Sequence, residues 1–145
     1  MKPFKLQVVL DYRKRLADQA QQEVAACMAH KNAVATARKE AEKDRQRLCR
    51  ELDSAKTSAV HLEEILLYEQ CICAKQRQVD QLGERLAKAE AEVAEKQRKL
   101  VEARQKKKIL EKLREKRRNA EQKKQSRQDA VMLDEVAVLG FGGGK

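Results

Sequence analysis

The chain has 145 residues, of which 39% are charged and only 3% aromatic, with no Trp and a single Pro at position 3. This composition excludes a thick globular core. It matches long helices and coiled coils, where burial is a narrow seam between helices. The net charge is +10, and nearly all of it sits in one tract near the end of the chain.

The opening stretch MKPFKLQVVLDYRKR has too short an apolar run for a signal peptide, and Asp11 with three basic residues follows it. No run of about 18 apolar residues occurs, so no transmembrane helix is expected and the cytosol is the default location. From Leu10, steps of three and four residues pass through Arg13, Ala17, Ala20, Val24, Cys27, Lys31, Val34, Arg38, Ala41, Arg45, Leu48, Leu52, Ala55, Ala59 and Leu62. Twelve of these sixteen are apolar, where 41% apolar content would give about six or seven by chance, so the 3.5-residue repeat is a real seam. Many seam positions are Ala, which lets helices approach closely but buries little area per layer.

The segment Leu52–Ala59, LDSAKTSA, is the best break in this pattern. Asp53, Ser54, Thr57 and Ser58 compete for backbone hydrogen bonds, and Ser58 is a good helix N-cap with Glu63 and Glu64 following to favour the dipole. A second seam then runs through Ile65, Tyr68, Ile72, Lys75, Val79, Leu82, Leu86, Ala89, Val93, Lys96, Leu100, Ala103, Lys107 and Leu110, with eleven of fourteen positions apolar. Its expected continuation is a slipped phase through Ile109, Leu113 and Ala120. Gly83 is the one Gly inside this pattern and weakens the helix without ending it.

The architecture expected is all-α: a long two-helix antiparallel coiled-coil hairpin, with the second helix longer and overhanging the first. Helix 1 is expected over about 4–55, the turn over about 53–59 and helix 2 over about 58–138, in a single domain of residues 1–138. The end, LGFGGGK, is expected to be disordered over 139–145, with Phe141 as its apolar anchor. Because the heptad phase nearly carries through the break, one continuous helix of about 130 residues paired with a second chain is the competing architecture.

The basic tract Arg104–Arg127 holds twelve Lys/Arg against three Glu, a net +9. An isolated charge run is most simply a solvated helix face. As a nucleic-acid element it would neutralise phosphates, yet it follows the heptads instead of preceding them as in a basic zipper, and no stacking aromatics accompany it. As a docking element it would meet an acidic protein surface. Ile109, Leu110 and Leu113 form an apolar ridge among the charges, which favours a protein partner. Beyond Arg127 the end is acidic, with Asp129, Asp134 and Glu135 against Lys145, and Met132, Leu133, Val136, Ala137 and Leu139 continue an apolar stripe.

No chemistry-bearing motif is present: there is no phosphate-binding Gly loop, and His30 and His61 are isolated, so neither enzymatic activity nor a cofactor is expected. Cys71 and Cys73 point about 200° apart on a helix, and Cys27 and Cys49 lie 22 residues apart, so no zinc site is expected. All four are read as reduced thiols acting as small apolar residues.

Three pieces of the chain together resemble the FliJ family of flagellar type III export stalk proteins, relatives of the injectisome stalk. They are Phe4, Leu6, Val9, Leu10 and Arg13 in FKLQVVLDYRKR; the segment SAVHLEEILLYEQCICAKQRQVDQL with Leu62, Tyr68, Ile72 and Leu82; and KKKILEKLREKRR followed by MLDEVA, with Leu110, Glu111, Lys112, Leu113, Lys116, Leu133, Asp134 and Glu135. The GFGGGK end and the C-x-C of 71–73 are departures from that pattern. The resemblance implies a stalk that enters the pore of a hexameric flagellar export ATPase, contacts the cytoplasmic domain of the export gate and acts as an escort for export chaperones. It also implies a cytoplasmic protein held peripherally at the inner membrane at the flagellar base, with a role in motility and chemotaxis and no direct nucleic-acid partner.

Under that reading the ATPase-facing residues are Phe4, Leu10, Arg13, Ile109, Leu110, Leu113, Arg114, Lys116, Arg117 and Arg118. The hairpin tip, about 54–68, would face the gate, with Leu62, Tyr68 and Ile72 as contacts. The alternatives are a basic coiled coil bound to nucleic acid or ribosomes, and a structural dimeric rod.

Overall fold

The computed structural model describes residues 3–143, and the side chains of residues 3–140. Two α-helices make up the fold: α1, Gln7–Thr57, and α2, Leu62–Gly143. They pack as an all-α helical hairpin with no strand among the described residues. The chain divides into two compact units, one of residues 18–101 and one of residues 1–17 with 102–145.

The unit of residues 18–101 contains the turn. Its end-capping differs from the expectation that Ser58 opens the second helix. The Ser58 hydroxyl donates to the carbonyls of Ser54 and Ala55, and the Thr57 hydroxyl donates to Ser54. These are last-turn carbonyls of α1, and Ala55 also accepts from the Ser58 amide at 3.3 Å, so both hydroxyls help close the first helix. The amide of Val60 donates to the Ser58 carbonyl at 2.8 Å in a tight three-residue turn. The His61 carbonyl then accepts from the amides of Glu64 and Ile65, which makes His61 the residue from which α2 starts. Glu63 and Glu64 occupy the first turn of α2, where carboxylates favour the dipole. The connection therefore spans 58–61 instead of 53–59. It needs neither Gly nor Pro, and no described non-Gly residue takes a positive φ.

Inside this unit the buried residues are Val24, Ala41 and Leu52 on α1 and Val79, Ala89, Val93 and Leu100 on α2. All seven are seam positions. The seam cations divide by their surroundings. Lys75 reaches Asp44 across the interface at 3.3 Å, and Lys96 reaches Glu23 at 3.2 Å. Between these two pairs the chain moves 21 residues back along α1 and 21 forward along α2, so one antiparallel register holds at both. Arg45 turns to its own helix, where it pairs with Glu42 and approaches the Cys49 sulfur. Arg38 is the exposed member of the seam between Leu10 and Ala55. Its guanidinium lies over Gly83, 3.2 Å from where a Cβ would stand.

The cysteines split as well. Cys27 and Cys49 are half-buried and fit the reading as small apolar residues, but Cys71 and Cys73 are exposed on α2 and do not.

In the other unit, the first turns of α1 lie against α2. Pro3 and Phe4 precede the helix, and the Gln7 amide donates to the Phe4 carbonyl at 3.0 Å. Leu10 is fully buried and Ala17 nearly so. From Gln122 to Gly140 every residue is exposed. The helix continues to Gly143 through the stretch expected to be disordered from 139; Gly144, Lys145 and the side chain of Phe141 lie outside the described residues.

Candidate docking surface at the end of the second helix

The surface is set by how the α2 seam behaves once α1 runs out. From Ile65 to Leu110 every expected seam position is buried or half-buried. Beyond Leu110 the half-buried positions are Arg114, Arg117 and Glu121, together with Glu111. The steps remain three and four, so the seam keeps its phase and changes chemistry from apolar to charged.

The expectation of a slipped phase is therefore corrected. Ile109, Leu113 and Ala120 each stand one residue before a seam position, about 100° around the helix, and all three are exposed. Which face of α2 is covered is decided by the position of α1, and the apolar pattern does not follow it there.

Phe4 and Gln7 lie with Glu111, Arg114, Glu115, Arg117, Arg118 and Glu121 around an open groove at the start of α1. Arg117 pairs with Glu121 at 3.7 Å within the same helix. The expected residues Phe4, Arg114, Arg117 and Arg118 are thus brought together, while Ile109 and Leu113 stand exposed on another face. Lys116 is exposed. Arg13 is half-buried, with its guanidinium over the Tyr12 ring at 6.0 Å.

Two expected contacts face inward. Leu10 is completely buried and Leu110 is half-buried in the seam, so both close the hairpin and offer little outward surface. Sequence reasoning missed Val8 and Tyr12, which are exposed on α1. The signal was available, because both are apolar or aromatic, four apart, and off the seam.

After the basic tract the character changes again. Val131, Met132, Leu133, Val136, Val138 and Leu139 are all more than half exposed, with Asp134 and Glu135 among them.

In the unit that holds the turn, Leu62 is 69% exposed. Tyr68 and Ile72 are half-buried in the seam, so they are packing residues first. The exposed apolar neighbours are instead Leu66 and Leu67, which a seam-based reading passes over because they are off-register.

Carboxylate electrostatics are local. The Arg45 hydrogen bond holds the Glu42 carboxyl below its usual range, and Arg98 does the same for Glu95. Among the described residues no group of His, Cys, Asp and Glu is arranged to hold a metal ion, and no helix is long and apolar enough to cross a membrane.

The family model described as flagellar FliJ protein matches residues 1–145, the full length of the chain. No curated protein and no solved structure gives a match. The hairpin, its longer second helix and the full-length match agree, and the chain belongs to the FliJ family, components of the flagellar type III export apparatus.

Proposed function

We propose that this protein is the central stalk of the flagellar export ATPase ring and couples that ring to the export gate. The observation that carries the reading is the end of α2. A basic tract with exposed Ile109 and Leu113 leads into a stretch, 122–140, in which every residue is exposed. Exposed apolar side chains framed by many cations fit an acidic protein wall better than a phosphate backbone, which offers nothing to Leu or Ile. Charge of one sign on the stalk raises the rate of encounter with an acidic pore and tolerates rotation, because long-range Coulomb attraction depends little on exact register.

The ring-facing residues are Phe4, Arg13, Ile109, Leu113, Arg114, Lys116, Arg117 and Arg118. The gate is met near the turn, where Leu62, Leu66 and Leu67 are exposed. Export chaperones are further partners, and the protein is peripheral at the inner membrane through the apparatus it joins.

The test is to add the protein to its cognate export ATPase and follow hexamer formation and ATP turnover. Both should rise. The triple variant Arg114→Glu, Arg117→Glu, Arg118→Glu should lose most of that effect while remaining helical. ATP turnover that is the same with and without the unaltered protein removes the stalk reading. Loss of RNA binding by the triple variant, with motility intact, would put a nucleic-acid role in its place.

A further inference from the structure

In the unit of residues 1–17 and 102–145, one flank of the hairpin is apolar on both helices. Counted at about 100° per residue from Leu10, Leu6, Val9 and Tyr12 stand at about −40°, −100° and −160° around α1. Counted from Leu110, Leu113 and Ile109 stand at about −60° and −100° around α2. Across two antiparallel helices, turns of the same sign away from the seam lead to the same side of the hairpin. Gln7 and Glu111, both turned in the positive sense, share the groove at the start of α1, so the negative turns lead to the opposite side. That groove also brings Phe4 and Gln7 level with Glu111 and Arg114, which sets Leu6 and Val9 level with Leu113 and Ile109. The five side chains, 40–60% exposed, form one apolar patch across both helices. Lys5, Arg13, Lys106, Lys112 and Lys116 fall on the patch side, while Asp11, Glu111 and Glu115 fall on the other.

The acidic end of α2 complements this patch. Met132, Val136 and Leu139 follow one another at steps of four and three on one stripe, edged by Asp129 and Glu135, and all five are exposed. Because α2 is unbroken to Gly143, this end cannot fold back on its own patch. We propose that the acidic end of α2 in one copy of this protein docks on the cation-framed patch of a second copy. In a two-fold dimer the contact is made twice, each copy giving its end to the other, with the two exposed stretches of α2 antiparallel. The basic tracts pass each other between the two contacts, and their like charge keeps the association weak and reversible. Arg13, Ile109 and Leu113 are also ring-facing residues of the stalk reading, so the dimer and a ring-bound stalk exclude each other. The dimer itself does not rest on that reading.

Sedimentation velocity of the full-length protein across the micromolar range tests this. The unaltered protein should shift from monomer to dimer as concentration rises. Ile109→Glu sets a carboxylate on the patch against the acidic end, and Val136→Lys sets an ammonium on the end against the cations. Each variant alone should weaken dimerisation about tenfold or more, with helix content by circular dichroism unchanged because both positions are exposed. Mixed in equal amounts, the two variants should recover the dimer. One contact then pairs the new carboxylate with the new ammonium, and the other is unaltered on both sides. An unaltered protein that stays monomeric at every concentration overturns the proposal; weaker binding of Ile109→Glu to the cognate export ATPase would then give the patch to that partner. Loss with only one of the two variants overturns it too, since loss with Val136→Lys alone means that the ends pair with each other. A mixture that stays monomeric is equally fatal to it.

Discussion

Within α2, Ile65–Leu110 and Gln122–Leu139 draw on the same residue types and meet opposite fates. The first carries a continuous apolar stripe at steps of three and four that α1 covers, leaving Leu66, Leu67, Val101 and Ile109 exposed off it. The second spreads them around the helix, and every one is exposed. A stripe can be satisfied by one neighbouring helix within the chain, but a cylinder of apolar side chains cannot. The contrast therefore separates residues that hold the hairpin together from residues available to a partner.

The sharpest way to break this comparison is to place the same charge in both regions. Val93→Asp puts a carboxylate into the buried seam and should lower stability by about 3 kcal/mol or more. Val136→Asp should change it by no more than about 0.5 kcal/mol. Thermal unfolding followed by circular dichroism reads both, and equal losses would mean the C-terminal stretch is packed in solution.

A smaller effect of the opposite sign is expected at Gly83. Ala there gains about 1 kcal/mol of helix propensity. Its Cβ meets only the tip of Arg38, an exposed and flexible side chain that can move by a few tenths of an ångström. Gly83→Ala should raise the unfolding midpoint; a fall would show that the Arg38 placement over Gly83 contributes to the fold.

The cross-helix pairs come next. Lys75–Asp44 and Lys96–Glu23 are each about a third exposed or more, so a double-mutant cycle on either should give about 0.2–1 kcal/mol of coupling, reduced by salt. Coupling that is insensitive to salt would contradict their solvent-screened placement.

The least effect is on acidification. The folded-state pKa of Glu42 is depressed by Arg45 and that of Glu95 by Arg98. Their contribution is therefore present above the ordinary carboxylate range and is lost as pH falls through the depressed values. Helix content should decline slightly in that acidic window. Glu42→Gln should flatten the decline, and an unchanged pH profile in that variant would rule the Arg45–Glu42 pair out as a contributor.

Much of the hairpin was legible in the heptads. The seam from Leu10 to Leu62 is buried or half-buried at every position but Arg38, Ala59 and Leu62, the last two lying at the turn, and the seam from Ile65 to Leu110 at every position. The turn was read several residues early because Ser58 is as good at closing a helix as at opening one. Its hydroxyl bonds backward to Ser54 and Ala55, and no local propensity announces that choice. Of the candidate docking residues, the cations of the tract and the exposed Ile109 and Leu113 were legible from charge and hydropathy. The inward placement of Leu10 and Leu110 sets them apart, because residues that hold a seam look the same in sequence as residues that bind a partner.

Helix content, the 3.5-residue seam and the concentration of charge in Arg104–Arg127 were determined by sequence alone, since they depend on residue type and spacing along one helix. The tertiary structure decided which face of α2 stays covered after Leu110. Its seam runs on in phase through Arg114, Arg117 and Glu121, while the apolar residues turn about 100° away into the open. The reason is geometric: the covered face is wherever the neighbouring helix lies, and that position is set by the buried layers before it, such as Leu10 and Ala17 on α1.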